Sequence, residues 1–244
     1  WGLGGSAVTP GERATGYAAF ANGVYAISPY VIDRIEDDDG NVLFQHTPSK
    51  ACDSPVTELQ QLEREMQATL GIDATTKNCA PRVIDKRTHF LIMTMMQDVI
   101  KRGTGKRALA LNRSDLAGKT GTTNDQKDAW FAGFNQGLAT IVWVGFDQPK
   151  TLGRWAYGGN IALPIWVDYM DKALQGMAEQ PYQQPEGIVS VRIDPETGLL
   201  APAGQANAIF EYFRKENVPT EMSKPASSTE QQEEKNGVIP EQLF

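Results

Sequence analysis

Histidine is scarce in this chain of 244 residues: His46 and His89 are the only two, and neither belongs to a cluster with metal-ligand spacing. A histidine-based metal centre and a Ser-His catalytic pair are both unsupported. No stretch reaches the roughly 18 consecutive apolar residues of a membrane-spanning helix, and the residues after Trp1 lack the charged opening of a signal peptide. Positive charge is also short, with 23 lysines and arginines against 30 aspartates and glutamates, a formal charge of −7 and a pI near 5.0. With no basic stripe to meet phosphates, nucleic acid is not an expected partner. Cysteine is limited to Cys52 and Cys79, and no internal repeat is visible.

A length of 244 residues could hold one large domain or two small ones, and 41% hydrophobic content is enough for a substantial core. Thr9-Pro10-Gly11-Glu12 is a capping box with proline at the first helical position, and it predicts a helix from Pro10 to about Ala21 that Gly23 stops. Val24 to Ile35 reads as extended, Asp37-Asp38-Asp39-Gly40 as a hairpin turn, and Asn41 to Gln45 as the return strand. Residues 47–82 turn polar, with a charged helical stretch from Thr57 to about Leu70. Asp85 is placed to cap a longer helix through Lys101, ended by Gly103, whose Phe90, Ile92, Met93, Met96, Val99 and Ile100 demand burial. Its methionines read as core filler and His89 as a packed or half-exposed structural residue.

The most informative run is Leu116-Ala117-Gly118-Lys119-Thr120-Gly121-Thr122-Thr123-Asn124. It places a cation, hydroxyls and a glycine at the start of a strand, equipment for holding a carboxylate beside a reactive carbonyl. On a strand Lys119 and Gly121 share one face while Thr120 and Thr122 share the other. A side chain at position 121 would obstruct a ligand lying against the strand, whose edge can pair with a peptide backbone. A bare Lys-Thr-Gly is usually a turn with a solvated lysine, but the flanking pattern argues otherwise. Asp128 to Asn135 alternates and is aromatic-rich, Gln136-Gly137 makes a turn, and Leu138 to Phe146 is a second apolar run. The three segments predict an antiparallel meander. Gly118-Lys119-Thr120 also matches the end of a phosphate-binding P-loop, but that motif needs a glycine where Arg113 stands, and no helix pattern follows.

Beyond the meander, Gly158-Gly159-Asn160 reads as a flexible turn and Leu163 to about Gln175 as a helix lying against the sheet, with Ile165, Trp166, Tyr169 and Met170 available for packing. Pro181 to Gly187 is a proline-rich boundary, Ile188 to Ile193 a short strand, and Asp194 to Gly198 its closing turn. From Thr220 the composition turns to Ser, Glu, Gln and Lys, which predicts a disordered tail.

Lys-Thr-Gly is the third motif of serine β-lactamases and penicillin-binding proteins, after S-x-x-K and S-D-N. Around it, Leu3-Gly4-Gly5-Ser6-Ala7-Val8-Thr9-Pro10, Gly16-Tyr17-Ala18-Ala19-Phe20-Ala21-Asn22-Gly23, Gly103-Thr104-Gly105, Gly158-Gly159 and Pro164-Ile165-Trp166 extend the match over most of residues 1–200. The chain resembles the C-terminal part of the transpeptidase domain of class A, 1A-type penicillin-binding proteins, bifunctional cell-wall synthases of Gram-negative bacteria.

The resemblance implies an α+β fold, an antiparallel sheet with packed helices forming the C-terminal half of the domain. It divides the chain into a helix-plus-hairpin segment (1–46), a polar insert (47–82), the body with the Lys-Thr-Gly strand (83–186), a C-terminal extension (187–219) and the tail (220–244). The implied reaction is D,D-transpeptidation through an acyl-serine, with peptidoglycan stem peptides ending in D-Ala-D-Ala and β-lactams as ligands and no cofactor or metal. By resemblance Lys119 supports the catalytic network and the substrate carboxylate. Thr120 and Thr122 donate hydroxyls to that carboxylate, Gly121 gives clearance, and the Thr122 backbone N–H is half of the oxyanion hole. Lys127, Asp128 and Trp130 match the family context and read as structural. No serine here has lysine three positions later or asparagine two positions later, so the nucleophile and second motif are missing. The chain therefore looks like an inactive fragment of a longer protein that adds a glycosyltransferase domain and a membrane anchor, at the periplasmic face of the inner membrane. A non-catalytic interaction module with this fold is the alternative. In that compartment Cys52 and Cys79 could pair or stay apart.

Overall fold

The computed structural model describes residues 8–51, 66 and 79–224. Apart from Met66, the charged stretch expected from Thr57 to Leu70 lies outside the described residues, as do the Cys52 end of the possible disulfide and the chain beyond Lys224. Residues up to Pro185 and residues from Glu186 form two separate units.

Helix α1 spans Pro10–Ala21, and its capping box forms reciprocally: the Thr9 hydroxyl accepts from the Glu12 amide at 3.2 Å and the Glu12 carboxylate accepts from the Thr9 amide at 2.8 Å. Gly23, at φ +87°, turns the chain out of the helix. The segment expected to be extended from Val24 is a regular strand only at its end, where β1 (Arg34–Glu36) pairs antiparallel with β2 (Val42–Gln45) around the Asp37 turn. Val24 is buried at φ +67°, strained for a β-branched residue, with its amide donating to Ala19 O and its carbonyl accepting from Val83 N. Strands β3 (Lys50–Ala51) and β4 (Cys79–Ala80) pair in parallel and bring the ends of the polar insert together. Helix α2, Lys86–Lys101, is capped by the Asp85 carboxylate, which accepts from the amides of Arg87 and Thr88 at 3.0 Å.

The expected meander is β5 (Ala117–Thr122), β6 (Asp128–Phe134) and β7 (Ala139–Gly145), antiparallel in that order, with Thr122 opposite Ala129 and Ala117 opposite Phe134. Period-two alternation sends Phe131 to one face and Ala117 and Phe134 to the other. Phe131 joins Ile100, Leu116 and the buried residues of α3 (Ala162–Ala173). Ala117 and Phe134 join Ala21 and Met93, with Tyr17 and Phe20 alongside. Trp166 is the centre of the first core: its ring meets Phe131 edge-on at 5.0 Å, and its indole N–H donates to the carbonyls of Gly133 and Thr140. Gly133 is required there, because a β-carbon would lie 2.5 Å from the Trp166 ring. Of the four α3 residues expected to pack, Trp166 and Met170 are buried, but Ile165 and Tyr169 are half exposed. The buried stripe runs through Leu163, Trp166 and Met170, and positions 165 and 169 fall about 100° away from it.

In the second unit, β8 (Ile188–Ile193) forms a hairpin with β9 (Ile209–Arg214), a strand to which no sequence signal was assigned. Asp194 organises the turn after β8, accepting from the Thr197 hydroxyl and the Glu196 amide. Residues 221–223 are not part of a disordered tail: Leu200 N donates to Glu221 O and Ser223 N donates to Leu200 O, both at 2.9 Å. Composition missed this because the ordering comes from backbone pairing.

Candidate active site

Strand β5 enters the sheet from a buried ionic knot. Asp115, fully buried, accepts from Arg113 Nε at 2.9 Å and Nη2 at 2.7 Å, from the Gln180 amide at 3.2 Å and from Asn135 Nδ2 at 3.4 Å. Burial pulls its carboxyl upward, but the Arg113 guanidinium and the Gln180 and Asn135 donors outweigh this and hold it below the ordinary carboxylate value. Leu116, Ala117 and Gly118 are buried in turn, and the strand then emerges, with Lys119 and Thr122 exposed and Thr120 and Gly121 half-buried.

At the emerging end the two faces separate as strand alternation requires. On one, the Thr120 and Thr104 hydroxyls lie 2.7 Å apart, and the Thr122 hydroxyl accepts from the Gly158 amide at 3.1 Å. That bond occupies a lone pair on Thr122 and leaves its proton as the group to donate. Gly158 lies against the strand so closely that a β-carbon would meet Trp130 O at 2.2 Å and Gly121 O at 2.6 Å. The Gly158-Gly159 pair is thus a close backbone approach as well as a turn. On the other face, Lys119 Nζ donates to Thr120 O at 2.8 Å, and a β-carbon at Gly121 would meet Trp130 Cβ at 3.2 Å and Arg13 Nη1 at 3.8 Å. The absence of a side chain at Gly121 makes room for Trp130 and Arg13 on this face.

The direction of the Thr122 amide follows from the ladder. Thr123 N donates to Asp128 O at 3.1 Å, a hydrogen-bonded pair, so the next pair, Thr122 with Ala129, is of the non-hydrogen-bonded kind. The Thr122 N–H consequently points away from β6, toward the edge of β5 that no strand covers among the described residues. An amide aimed at an open strand edge, beside a lysine and two hydroxyls, can stabilise negative charge on a carbonyl oxygen. Asp128 serves the turn: one carboxylate oxygen accepts from Trp143 Nε1 at 2.9 Å and the other from the Thr123 hydroxyl at 3.2 Å. Lys127 pairs with Asp125 at 3.5 Å. A cleft of about 510 Å³ lies at the buried end of β5, lined by Arg82, Lys86, His89, Gln136, Glu179 and Tyr182 among others.

A family model described as the penicillin binding protein transpeptidase domain matches residues 1–171, and one described as the C-terminal domain of penicillin-binding protein 1A matches residues 184–226. The chain belongs to the penicillin-binding protein transpeptidase family. Within that family it is similar to penicillin-binding protein 1A of Pseudomonas aeruginosa, with 48% identity over 245 residues covering 91% of this chain and 29% of that protein. It is similar to penicillin-binding protein 1A of Neisseria gonorrhoeae, with 44% identity covering 77% of the chain and 20% of that protein. The crystal structure of penicillin-binding protein 1A from Haemophilus influenzae superposes with a TM-score of 0.76 at 37% identity, over 91% of this chain and 34% of that one. The chain thus spans less than a third of the length of these two sequence relatives. The penicillin-binding transpeptidase fold, α+β with antiparallel sheets, agrees with the sequence expectation.

Within this transpeptidase segment, Lys119, Thr120, Gly121 and Thr122 lie together at the open end of β5, and Thr104, Gly158 and Arg13, which the sequence does not mark as their neighbours, stand beside them. Gly103-Thr104-Gly105 and Gly158-Gly159 match the family in sequence, but nothing in local sequence shows that they meet at the Thr120–Thr122 face. Among the described residues no group of His, Cys, Asp and Glu could hold a metal ion, and no helix is long and apolar enough to cross a membrane.

Proposed function

We propose that this chain is the substrate-recognition part of a D,D-transpeptidase that cross-links peptidoglycan stem peptides through an acyl-serine intermediate. The observation that carries the reading is the open edge of β5, where Lys119, the Thr120 and Thr122 hydroxyls and the outward Thr122 N–H stand together in a chain of the transpeptidase family. In this reading the C-terminal carboxylate of a D-Ala-D-Ala peptide is held by the Thr120 and Thr122 hydroxyls with electrostatic support from Lys119. The Thr122 N–H donates to the oxygen that becomes negative as a serine attacks the penultimate carbonyl. The serine oxygen–carbon bond forms, D-alanine leaves with a proton on its amine, and a neighbouring stem-peptide amine then displaces the serine. β-Lactams acylate the same serine.

The nucleophile and its lysine are supplied outside this chain, which has no S-x-x-K and no S-x-N. We assign them to a longer polypeptide that also carries a glycosyltransferase domain and a membrane anchor and faces the periplasm of a Gram-negative cell. The missing motifs equally favour a second reading, a penicillin-binding-like module that binds without catalysis. Labelled penicillin separates the two. The chain alone is expected to form no covalent adduct and the full-length protein to form one per molecule. A stoichiometric adduct on the isolated chain would overturn the division of labour, and none on the full-length protein would leave the interaction module.

A further inference from the structure

Arg13 stands beside the Lys-Thr-Gly strand without being one of its residues. It lies on the first turns of α1, half-buried, with its guanidinium carbon 4.2 Å from the centre of the Trp130 ring. Trp130 is the cross-strand partner of Gly121, and Arg13 Nη1 comes within 3.8 Å of the place a Gly121 β-carbon would occupy. The guanidinium therefore stands beside the Lys-Thr-Gly strand on the face that Lys119 shares. Among the described residues it has no carboxylate partner. Its neighbour in the chain, Glu12, is bonded to Thr9, and Asp128, two residues before Trp130 on β6, is bonded to Trp143 and Thr123. Stacking on an indole occupies the flat face of a guanidinium and leaves its in-plane N–H donors, which match a carboxylate two at a time. A planar cation held over Trp130, with no acid partner among the described residues, has in-plane donors of the kind that bind a carboxylate beside β5.

We propose that Arg13 is a specificity-determining residue that receives a second carboxylate of the donor peptide, carried on the acyl side of the scissile bond. The inference rests on the transpeptidase reading above, which gives the terminal carboxylate to the opposite face, where Thr120 and Thr122 point. A ligand anion meeting Arg13 then belongs to the part of the peptide across the bond that is cut. Peptides whose acyl part carries a free carboxylate acylate the serine faster than those in which it is amidated.

The test uses the full-length protein and two penicillins that differ by one group, benzylpenicillin and its α-carboxy derivative, whose extra carboxylate sits on the side chain that replaces the donor's acyl part. The quantity read is the ratio of acylation rates, carboxylated over plain, which cancels any loss of folded protein because both rates come from the same preparation. Arg13→Gln, which keeps a planar group without charge, is expected to lower that ratio about tenfold, the order of one hydrogen bond to a charged group. Arg13→Lys, which keeps the charge but not the fork, falls between. Raising salt from about 0.05 to about 0.5 M lowers the ratio in the unsubstituted protein and not in Arg13→Gln. A ratio within twofold of the parent in Arg13→Gln overturns the proposal, whatever the melting temperature does, and leaves Arg13 as a packing partner of Trp130. No acylation of the unsubstituted protein by either compound overturns the transpeptidase reading itself, and the role of Arg13 with it.

Discussion

The two ends of β5 differ in burial and in what their hydrogen-bonding groups meet. At its entry, Asp115, Leu116, Ala117 and Gly118 are buried, and every oxygen of Asp115 has donors from Arg113, Asn135 or Gln180. At its exit, Lys119 and Thr122 are exposed, and the edge is covered by no strand among the described residues. The entry holds a buried charge, whereas the exit keeps the Thr122 N–H directed outward and the Thr122 hydroxyl proton as a donor. Holding the entry of β5 in place fixes the direction in which the donors at its exit are aimed.

The largest effect is expected from breaking the clamp. Arg113→Ala strands a carboxylate that is fully buried, with Arg113 itself only 12% exposed, and should cost about 3–5 kcal/mol of stability in a denaturant titration. A loss below about 1 kcal/mol would mean that the entry is not held by this pair. At the exit, Thr122→Val in the full-length protein should slow acylation by penicillin roughly ten- to hundredfold, since it removes a donor worth about 1.5–3 kcal/mol to a carboxylate. Thr120→Val should do less, because its hydroxyl is shared with Thr104. Both variants should melt close to the parent, valine being a good strand residue, apart from a small loss where Thr122 accepts from Gly158. Rates within twofold of the parent for both would assign the two hydroxyls to the neighbouring backbone alone.

The smallest effect is a pH dependence confined to the clamped end. His89 lies between Phe20 and Tyr182 with its Nε2 at 2.8 Å from Phe20 O. Burial lowers its pKa from the ordinary 6.5, the Phe20 carbonyl opposes this, and Arg82 adds to the lowering. The unfolded chain then binds the proton more readily, so stability is full above about 6.5 and declines as pH falls from there toward the lower folded value. Asp115 acts further down: its contribution is present above the ordinary carboxylate value of 3.8 and is lost as pH falls through its lower folded value. Thermal melts from pH 8 to pH 3 should show a shallow decline below 6.5 that His89→Gln flattens, then a second decline in acid. An unchanged first decline in His89→Gln would remove His89 from the account.

The sequence by itself determined α1, α2 and the meander β5–β7, because capping residues, apolar periodicity and strand alternation act among neighbours in the chain. It also set together the residues proposed for recognition, since Lys119, Thr120, Gly121 and Thr122 are consecutive and alternation sorts them into faces. Strand β9 and the pairing of residues 221–223 with Leu200 escaped it, being set by partners distant in sequence. Only the tertiary structure decided what stands around β5. Thr104 meets Thr120 across 16 residues, Gly158 meets Thr122 across 36, and Asp115 is bonded to Gln180 across 65. Arg13 reaches Trp130 from a helix more than a hundred residues earlier. None of these pairs has a local signature, because each is made by the packing of elements and rewards no pattern that either segment carries alone.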